Sequence, residues 1–168
     1  MSKIGFFGGC FNPPTLAHFE IVQNALREFH LDKIVIVPMG DKYQKKDLIN
    51  FEHRFHMLQK MFENEKKIEI SRMQANQDEM SYAIDSFQKI DATYPKDDRY
   101  FIMGYDNFSQ IETWKEGKRL VQNRKFIVFE RTNTSSTLVR QKLKANESIE
   151  KLVLPEVAQY ITKEGLYQ

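Results

Sequence analysis

The stretch Ile4-Gly5-Phe6-Phe7-Gly8-Gly9-Cys10-Phe11-Asn12-Pro13-Pro14-Thr15-Leu16-Ala17-His18 decides the fold. A short apolar run stops at two glycines, which reads as a buried strand ended by a turn. From Leu16 the apolar residues fall at Phe19, Val22, Ala25, Leu26 and Phe29, the spacing of a helix face. Strand, glycine turn and helix in that order make the first half of a βαβ unit. Two glycines let the backbone bend tightly and approach a ligand with no Cβ in the way. The helix start near Thr15 points free N–H groups and a positive dipole end at the same space. This is a candidate anion site. Thr15 offers a hydroxyl, and His18, three residues on, shares its helix face.

The same alternation continues outward. Ile34 to Val37 is a β-branched strand stopped by Pro38, and Phe51 to Phe62 is helical, with Phe55, Leu58, Met61 and Phe62 on one face. Lys67 to Ser71 is read as a third strand, Tyr82 to Tyr94 as a helix and Tyr100 to Met103 as a fourth strand. Phe108 to Val121 mixes loop and helix, and Phe126 to Phe129 is a fifth strand. A helix begins at Ser136, and a last short one holds Val157 to Tyr160. Near-continuous apolar strands between helices imply a parallel sheet covered on both faces. The expected fold is α/β: a three-layer, Rossmann-like arrangement with about five strands, its ligand lying beyond the strands' carboxyl ends.

Composition fits this reading. The chain has 168 residues, 41% hydrophobic and 29% charged, so it is long enough for one globular domain over 1–168 with a helical C-terminal part from about residue 135. Lys+Arg 25 against Asp+Glu 23 leaves a net +2, which argues for no nucleic-acid stripe. The one cysteine, Cys10, allows neither an internal disulfide framework nor a multi-cysteine zinc site. No apolar run nears the roughly 18 residues that span a bilayer, and the N-terminus lacks a signal-peptide pattern, so a cytoplasmic protein that engages no membrane is expected.

Taken singly, each local feature has an ordinary explanation. Gly8-Gly9 makes a turn, Thr15 caps a helix and His18 is a surface histidine. Ser136, Thr137 and Arg140 form a helix start with a solvated arginine one turn on. Lys42, Lys45 and Lys46 make a solvated loop, and Trp114 packs a core. The first stretch is neither G-x-G-x-x-G nor a P-loop, which disfavours hydride transfer and a Walker-type ATPase.

Together, however, these stretches carry a resemblance. Gly8 to His18 resembles the G-x-F-[DN]-P-x-[HT]-x-G-H signature of a nucleotidyltransferase superfamily. Thr15 and His18 stand at its paired positions, Asn12 at [DN], and Ala17 where glycine is usual. Thr134-Ser135-Ser136-Thr137-Leu138-Val139-Arg140 is similar to that superfamily's I-S-S-T-x-x-R segment. Gly104-Tyr105-Asp106 matches the G-x-D of the pyridine-nucleotide branch. Ser81-Tyr82-Ala83 resembles its S-Y-T, without the last hydroxyl. Trp114 falls at its T-W, and Lys45 at the lysine of its P-P-H-K. The ending, Leu154 to Val157 and Gly165 to Tyr167, is similar too. The resemblance spans nearly the whole chain and is nearest to bacterial nicotinate-mononucleotide adenylyltransferases. One departure is large: between Arg131 and Ser135 relatives carry a longer stretch with a further strand.

The resemblance implies adenylyl transfer from ATP to a pyridine mononucleotide in NAD biosynthesis. It implies that His18, Thr15 and Arg140 are catalytic. ATP would be bound at Gly8, Gly9, Cys10, Phe11, His18, Gly104, Asp106, Ser135, Ser136, Thr137 and Arg140. The acceptor would be bound at Lys45, Ser81, Tyr82, Ala83 and Trp114. Mg²⁺ would arrive with ATP and need few or no protein ligands; a homo-oligomer is open. The rival readings are a sister transferase acting on nicotinamide mononucleotide or phosphopantetheine, a nucleotide sensor without turnover, and a Cys-His hydrolase built on Cys10.

Overall fold

Consecutive buried residues along the central strands, Ile4, Phe6 and Phe7 in one and Ile34 to Val37 in the next, build a sheet with two covered faces. In the computed structural model, which describes residues 1–43, 45–76 and 82–168, five strands run parallel in the order β3-β2-β1-β4-β5. They are β1 (Lys3–Gly9), β2 (Lys33–Pro38), β3 (Ile68–Ile70), β4 (Asp98–Gly104) and β5 (Lys125–Phe129). The helices are α1 (Leu16–Glu28), α2 (Phe51–Met61), α3 (Ala83–Thr93), α4 (Tyr105–Phe108), α5 (Gly117–Val121), α6 (Ser136–Lys144) and α7 (Pro155–Glu164). A 3-10 turn covers Ile111–Thr113.

The period of two along each strand sorts the core. Phe7, Ile34, Ile36, Ile102 and Ile127 face one cluster, with Val22 of α1, Leu58 of α2, Val139 of α6 and Val157 and Ile161 of α7. Phe6, Val35, Val37 and Phe101 face the other, with Ile84, Phe87 and Ile90 of α3, Ile111 and Leu120. The expected three layers and five strands are present.

Strand order reverses beside β1. The chain moves outward through β2 and β3, then returns to place β4 on the other side of β1, where Phe7 pairs with Ile102. The crevice between the carboxyl ends of β1 and β4 is therefore the switch point, the general ligand site of open parallel sheets.

The stretch 105–121 is more broken than a loop followed by a helix. It holds four-residue α4, the 3-10 turn and five-residue α5. Gly117 explains one break: a Cβ there would lie 2.0 Å from the Ile111 carbonyl oxygen. Among the described residues, no helix is long and apolar enough to cross a membrane.

Candidate active site

Strand β1 ends at Gly9, and the next six residues form a loop before α1. A Cβ on Gly8 would meet only the Val37 carbonyl at 3.8 Å, and one on Gly104 only the Phe129 carbonyl at 3.9 Å. Both glycines thus leave room at the ends of adjacent strands, where a ligand could touch backbone.

Thr15 is the N-cap of α1 and is fully buried. His18, at the third helical position, folds back over it, and its Nδ1 accepts the Thr15 N–H at 2.9 Å. A glutamate or glutamine usually takes that part in a capping box. The Thr15 hydroxyl oxygen lies 3.2 Å from the same nitrogen. With Nδ1 accepting, the neutral ring carries its proton on Nε2. The ring packs edge-on to Phe11, with centroids 4.9 Å apart. Burial, and secondarily the Lys45 ammonium, push the His18 pKa down to about 4. His18 is therefore a neutral donor at pH 7, held by the cap it completes.

Two buried polar side chains hold the loop. Asn12 is 1% exposed. Its Nδ2 donates to the Asp47 carbonyl at 2.8 Å, and its Oδ1 accepts from the Ile49 N–H at 3.3 Å and the Tyr167 hydroxyl at 2.8 Å. Burial holds the Tyr167 phenol far above its ordinary range, so it stays a donor. Arg54 of α2 is 0% exposed. Its Nη1 donates to the carbonyls of Cys10 and Met39 at 3.0 and 2.7 Å, its Nε to Ile49 at 2.8 Å, and its Nη2 to the Asp41 carboxylate at 3.0 Å.

Helix α6 supplies the opposite wall. Ser135 is its N-cap and accepts the Leu138 N–H at 3.1 Å. The Ser136 hydroxyl donates to the Pro13 carbonyl at 2.7 Å. Arg140 is not a solvated arginine. It is 9% exposed, and its Nη1 donates to the Asn12 carbonyl at 2.7 Å while Nη2 reaches Thr137 Oγ1 at 3.3 Å. The fields of Lys45, Arg54 and Arg140 all act on the Cys10 thiol, yet burial outweighs them and raises its pKa. That speaks against a thiolate nucleophile and the Cys-His hydrolase reading. The same three cations leave the loop a candidate anion site.

The second-face residues form another group. Tyr82 caps α3, its N–H donating to Asp85 Oδ2 at 2.9 Å, and the Lys115 ammonium sits 4.3 Å over its ring. Ala83 and half-buried Trp114 pack against the second core cluster. The structure thus gives Trp114 the core contact of its ordinary explanation, with part of the ring still exposed. Asp106 is exposed on α4 and faces Arg131 at 3.5 Å. Ser81 lies outside the described residues.

Sequence reasoning overlooked Arg54 and Asp41. A signal was present: Arg54 sits on the apolar stripe Phe51, Phe55, Leu58 and Met61, where a charge must find partners.

A parallel sheet with this strand order, and a glycine-ended loop at its switch point, defines an α/β fold with its crevice at the carboxyl ends of the strands. The sequence pattern of the family described as "Cytidylyltransferase-like" matches residues 6–159, and the chain belongs to that family. A Fusobacterium nucleatum protein named "Probable nicotinate-nucleotide adenylyltransferase" is 32% identical, over 96% of this chain and 98% of its own. A protein of the same name from Acholeplasma laidlawii is 34% identical over 96% of each. The structure of "Plasmodium falciparum nicotinic acid mononucleotide adenylyltransferase complexed with NaAD" superposes with a TM-score of 0.85 at 23% identity, over 99% of this chain and 98% of that one. At that identity it speaks for the fold.

Proposed function

We infer that this chain transfers the adenylyl group of ATP to nicotinate mononucleotide, giving deamido-NAD and pyrophosphate, in NAD biosynthesis. The observation that carries this reading is the neutral His18, capped through Nδ1 beside Thr15, in a loop that Arg54 and Arg140 grip from both sides. The relatives named for this reaction, matched over nearly their whole length, support it.

An oxygen of the acceptor phosphate attacks the α-phosphorus. The new P–O bond forms as the bond from the α-phosphorus to its bridging oxygen breaks, and that oxygen leaves on pyrophosphate. The nucleophile is already an anion, so no protein base is needed, and catalysis is positioning plus charge stabilisation. His18 donates Nε2–H to the α-phosphate as charge develops. Thr15 holds the ring, and the Gly9 and Cys10 backbone approaches the same group. Ser136, Thr137 and Arg140 hold the β,γ-phosphates, with Gly104 leaving space and Asp106 on the ribose side. Lys45 faces the acceptor phosphate, while Tyr82, Ala83 and Trp114 border its base.

Among the described residues, no group of three or more His, Cys, Asp or Glu could hold a metal ion. A Mg²⁺ carried in on the triphosphate would neutralise phosphate charge.

Ala83 favours weighing a second acceptor, nicotinamide mononucleotide. It offers no hydroxyl to a carboxylate, leaving the first N–H groups of eleven-residue α3 to discriminate acid from amide. Pyrophosphate release with ATP and Mg²⁺ tests the reading, with nicotinate mononucleotide, nicotinamide mononucleotide and phosphopantetheine offered in parallel. Turnover with the pyridine acid is expected. Turnover with phosphopantetheine alone, or ATP binding without turnover, would overturn it in favour of a sister transferase or a sensor.

A further inference from the structure

Arg54 does something the reaction does not explain by itself. A guanidinium taken wholly out of water is expensive and persists only when its donors are met. Here they are met by two different loops. One Nη1 is shared between Cys10, in the loop after β1, and Met39, in the loop after β2. Nη2 reaches Asp41 early in that second loop, and Nε reaches Ile49 at its far end. Asn12 holds the same far end from the other side, through the Asp47 carbonyl and the Ile49 N–H. The segment between these anchors carries Lys42, Lys45 and Lys46, and the Lys45 charge is felt at both His18 and Cys10.

We propose that Arg54, with its carboxylate partner Asp41, is a positioning residue for the acceptor: it registers the lysine-bearing loop against the Gly9–Asn12 loop. This rests on the adenylyl-transfer reading and deepens it. In-line attack needs the acceptor phosphate and the α-phosphorus at a set separation, and misplacement by about 1 Å can cost on the order of 100-fold. The acceptor phosphate meets Lys45, and the α-phosphate meets the first loop. One buried side chain bonded to both loops ties those two positions together. Arg54 touches neither substrate; it acts through Lys45 and Cys10.

Asp41 is the accessible handle, since its side chain is 46% exposed while that of Arg54 is 0%. In Asp41→Ala water can replace the carboxylate, and Arg54 keeps its three carbonyls. The expected result is a KM for the pyridine mononucleotide raised about tenfold, the size of one charge-assisted hydrogen bond. The KM for ATP and the unfolding midpoint should stay near wild type. Because Asp41 acts through the loop that carries Lys45, the double variant D41A/K45A should be no worse than K45A. Equal rises in both KM values, or effects of the two changes that multiply, would overturn the proposal.

Amide exchange gives a readout independent of turnover. In D41A the Tyr43 and Ile49 amides should exchange about tenfold faster, with the strand amides of β1 unchanged. Unchanged exchange at Tyr43 and Ile49 would overturn the proposal even in a chain that turned over none of the acceptors. Absence of wild-type turnover would instead count against the adenylyl-transfer reading. Arg54→Lys extends the test: one ammonium cannot reach all four acceptors, so it should show the same KM split with a lower unfolding midpoint.

Discussion

The role proposed for His18 rests on its neutral ring and on an Nδ1 already occupied by the Thr15 N–H. Removing His18 should lower turnover about 10²–10³-fold, the loss typical of one donor to a developing oxyanion. The cap would also be lost, at about 1 kcal/mol, so folding should survive. Near-normal turnover in His18→Ala would end the assignment. Its titration makes a second expectation. The folded pKa of about 4 lies below the ordinary 6.5, so the unfolded chain binds the extra proton first. The stability from a neutral, half-buried imidazole is therefore full above pH 6.5 and lost as pH falls towards 4, by roughly 1.4 kcal/mol per pH unit within that window. Urea unfolding at pH 7 and pH 5 should show a larger acid loss for wild type than for His18→Gln; parallel losses would mean the ring is not held neutral. Gly8 makes the reverse case. Its Cβ would meet only the Val37 carbonyl at 3.8 Å, so Gly8→Ala should keep its unfolding midpoint and lose ATP affinity. Calorimetry with a non-hydrolysable ATP analogue checks this, and unimpaired binding would place the triphosphate elsewhere. Thr15, His18 and Gly8 were legible because their chemistry is local to a strand, a turn and a helix start. Arg54 was not, because its partners Cys10, Met39, Asp41 and Ile49 come together only in the folded chain.

Helix α6 shows how one element serves both stability and site. Its cap, Ser135, turns inward to the Leu138 amide. The next hydroxyl, Ser136, ties the helix to the loop before α1 through Pro13, and Arg140 ties it again through Asn12. The helix start and the first loop are therefore tied at two points. Arg140→Ala should raise the KM for ATP more than that for the acceptor. It should also lower stability by roughly 1–3 kcal/mol, because the Asn12 carbonyl is left without its donor. Equal effects on both substrates would remove Arg140 from the triphosphate site. Elements with a strong period were readable from sequence: β1, β2, β4, β5 and the helices α1, α2 and α3 lie where the apolar spacing put them, and α6 begins at Ser136, where its hydroxyl-rich start was read. The stretch 105–121 was not. Its breaks come from the close approach of Gly117 to Ile111 and the left-handed Glu116, φ 55°, features of packing rather than of local pattern. Strand β3 shrank to three residues at the sheet edge, where only β2 pairs with it.

At the scale of the molecule, the sheet divides the work. Elements of the first face, α1, α6 and the C-terminal segment, converge on the loop after β1. Leu16 donates its N–H to the Leu152 carbonyl at 2.9 Å, and the Tyr167 hydroxyl reaches Asn12. Elements of the second face, α3 and the Trp114 segment, pack together and would border the acceptor base. Loosening either face should then impair a different substrate. Ile161 of α7 is 1% exposed and Ile90 of α3 is 3% exposed, so truncating either to alanine should cost about 2–5 kcal/mol. The two variants would be matched in chemistry and near in stability. Assayed well below both unfolding midpoints, Ile161→Ala should raise mainly the KM for ATP, because α7 backs the segment that pins Asn12. Ile90→Ala should raise mainly the KM for the mononucleotide, because α3 carries Tyr82 and Ala83 at its start. If both variants raised both constants alike, the sheet would be a uniform scaffold, and the separation of donor and acceptor sides would fail. If the split appears, the topology accounts for it: the strand order reverses at β1, so the two substrates meet where the two faces do.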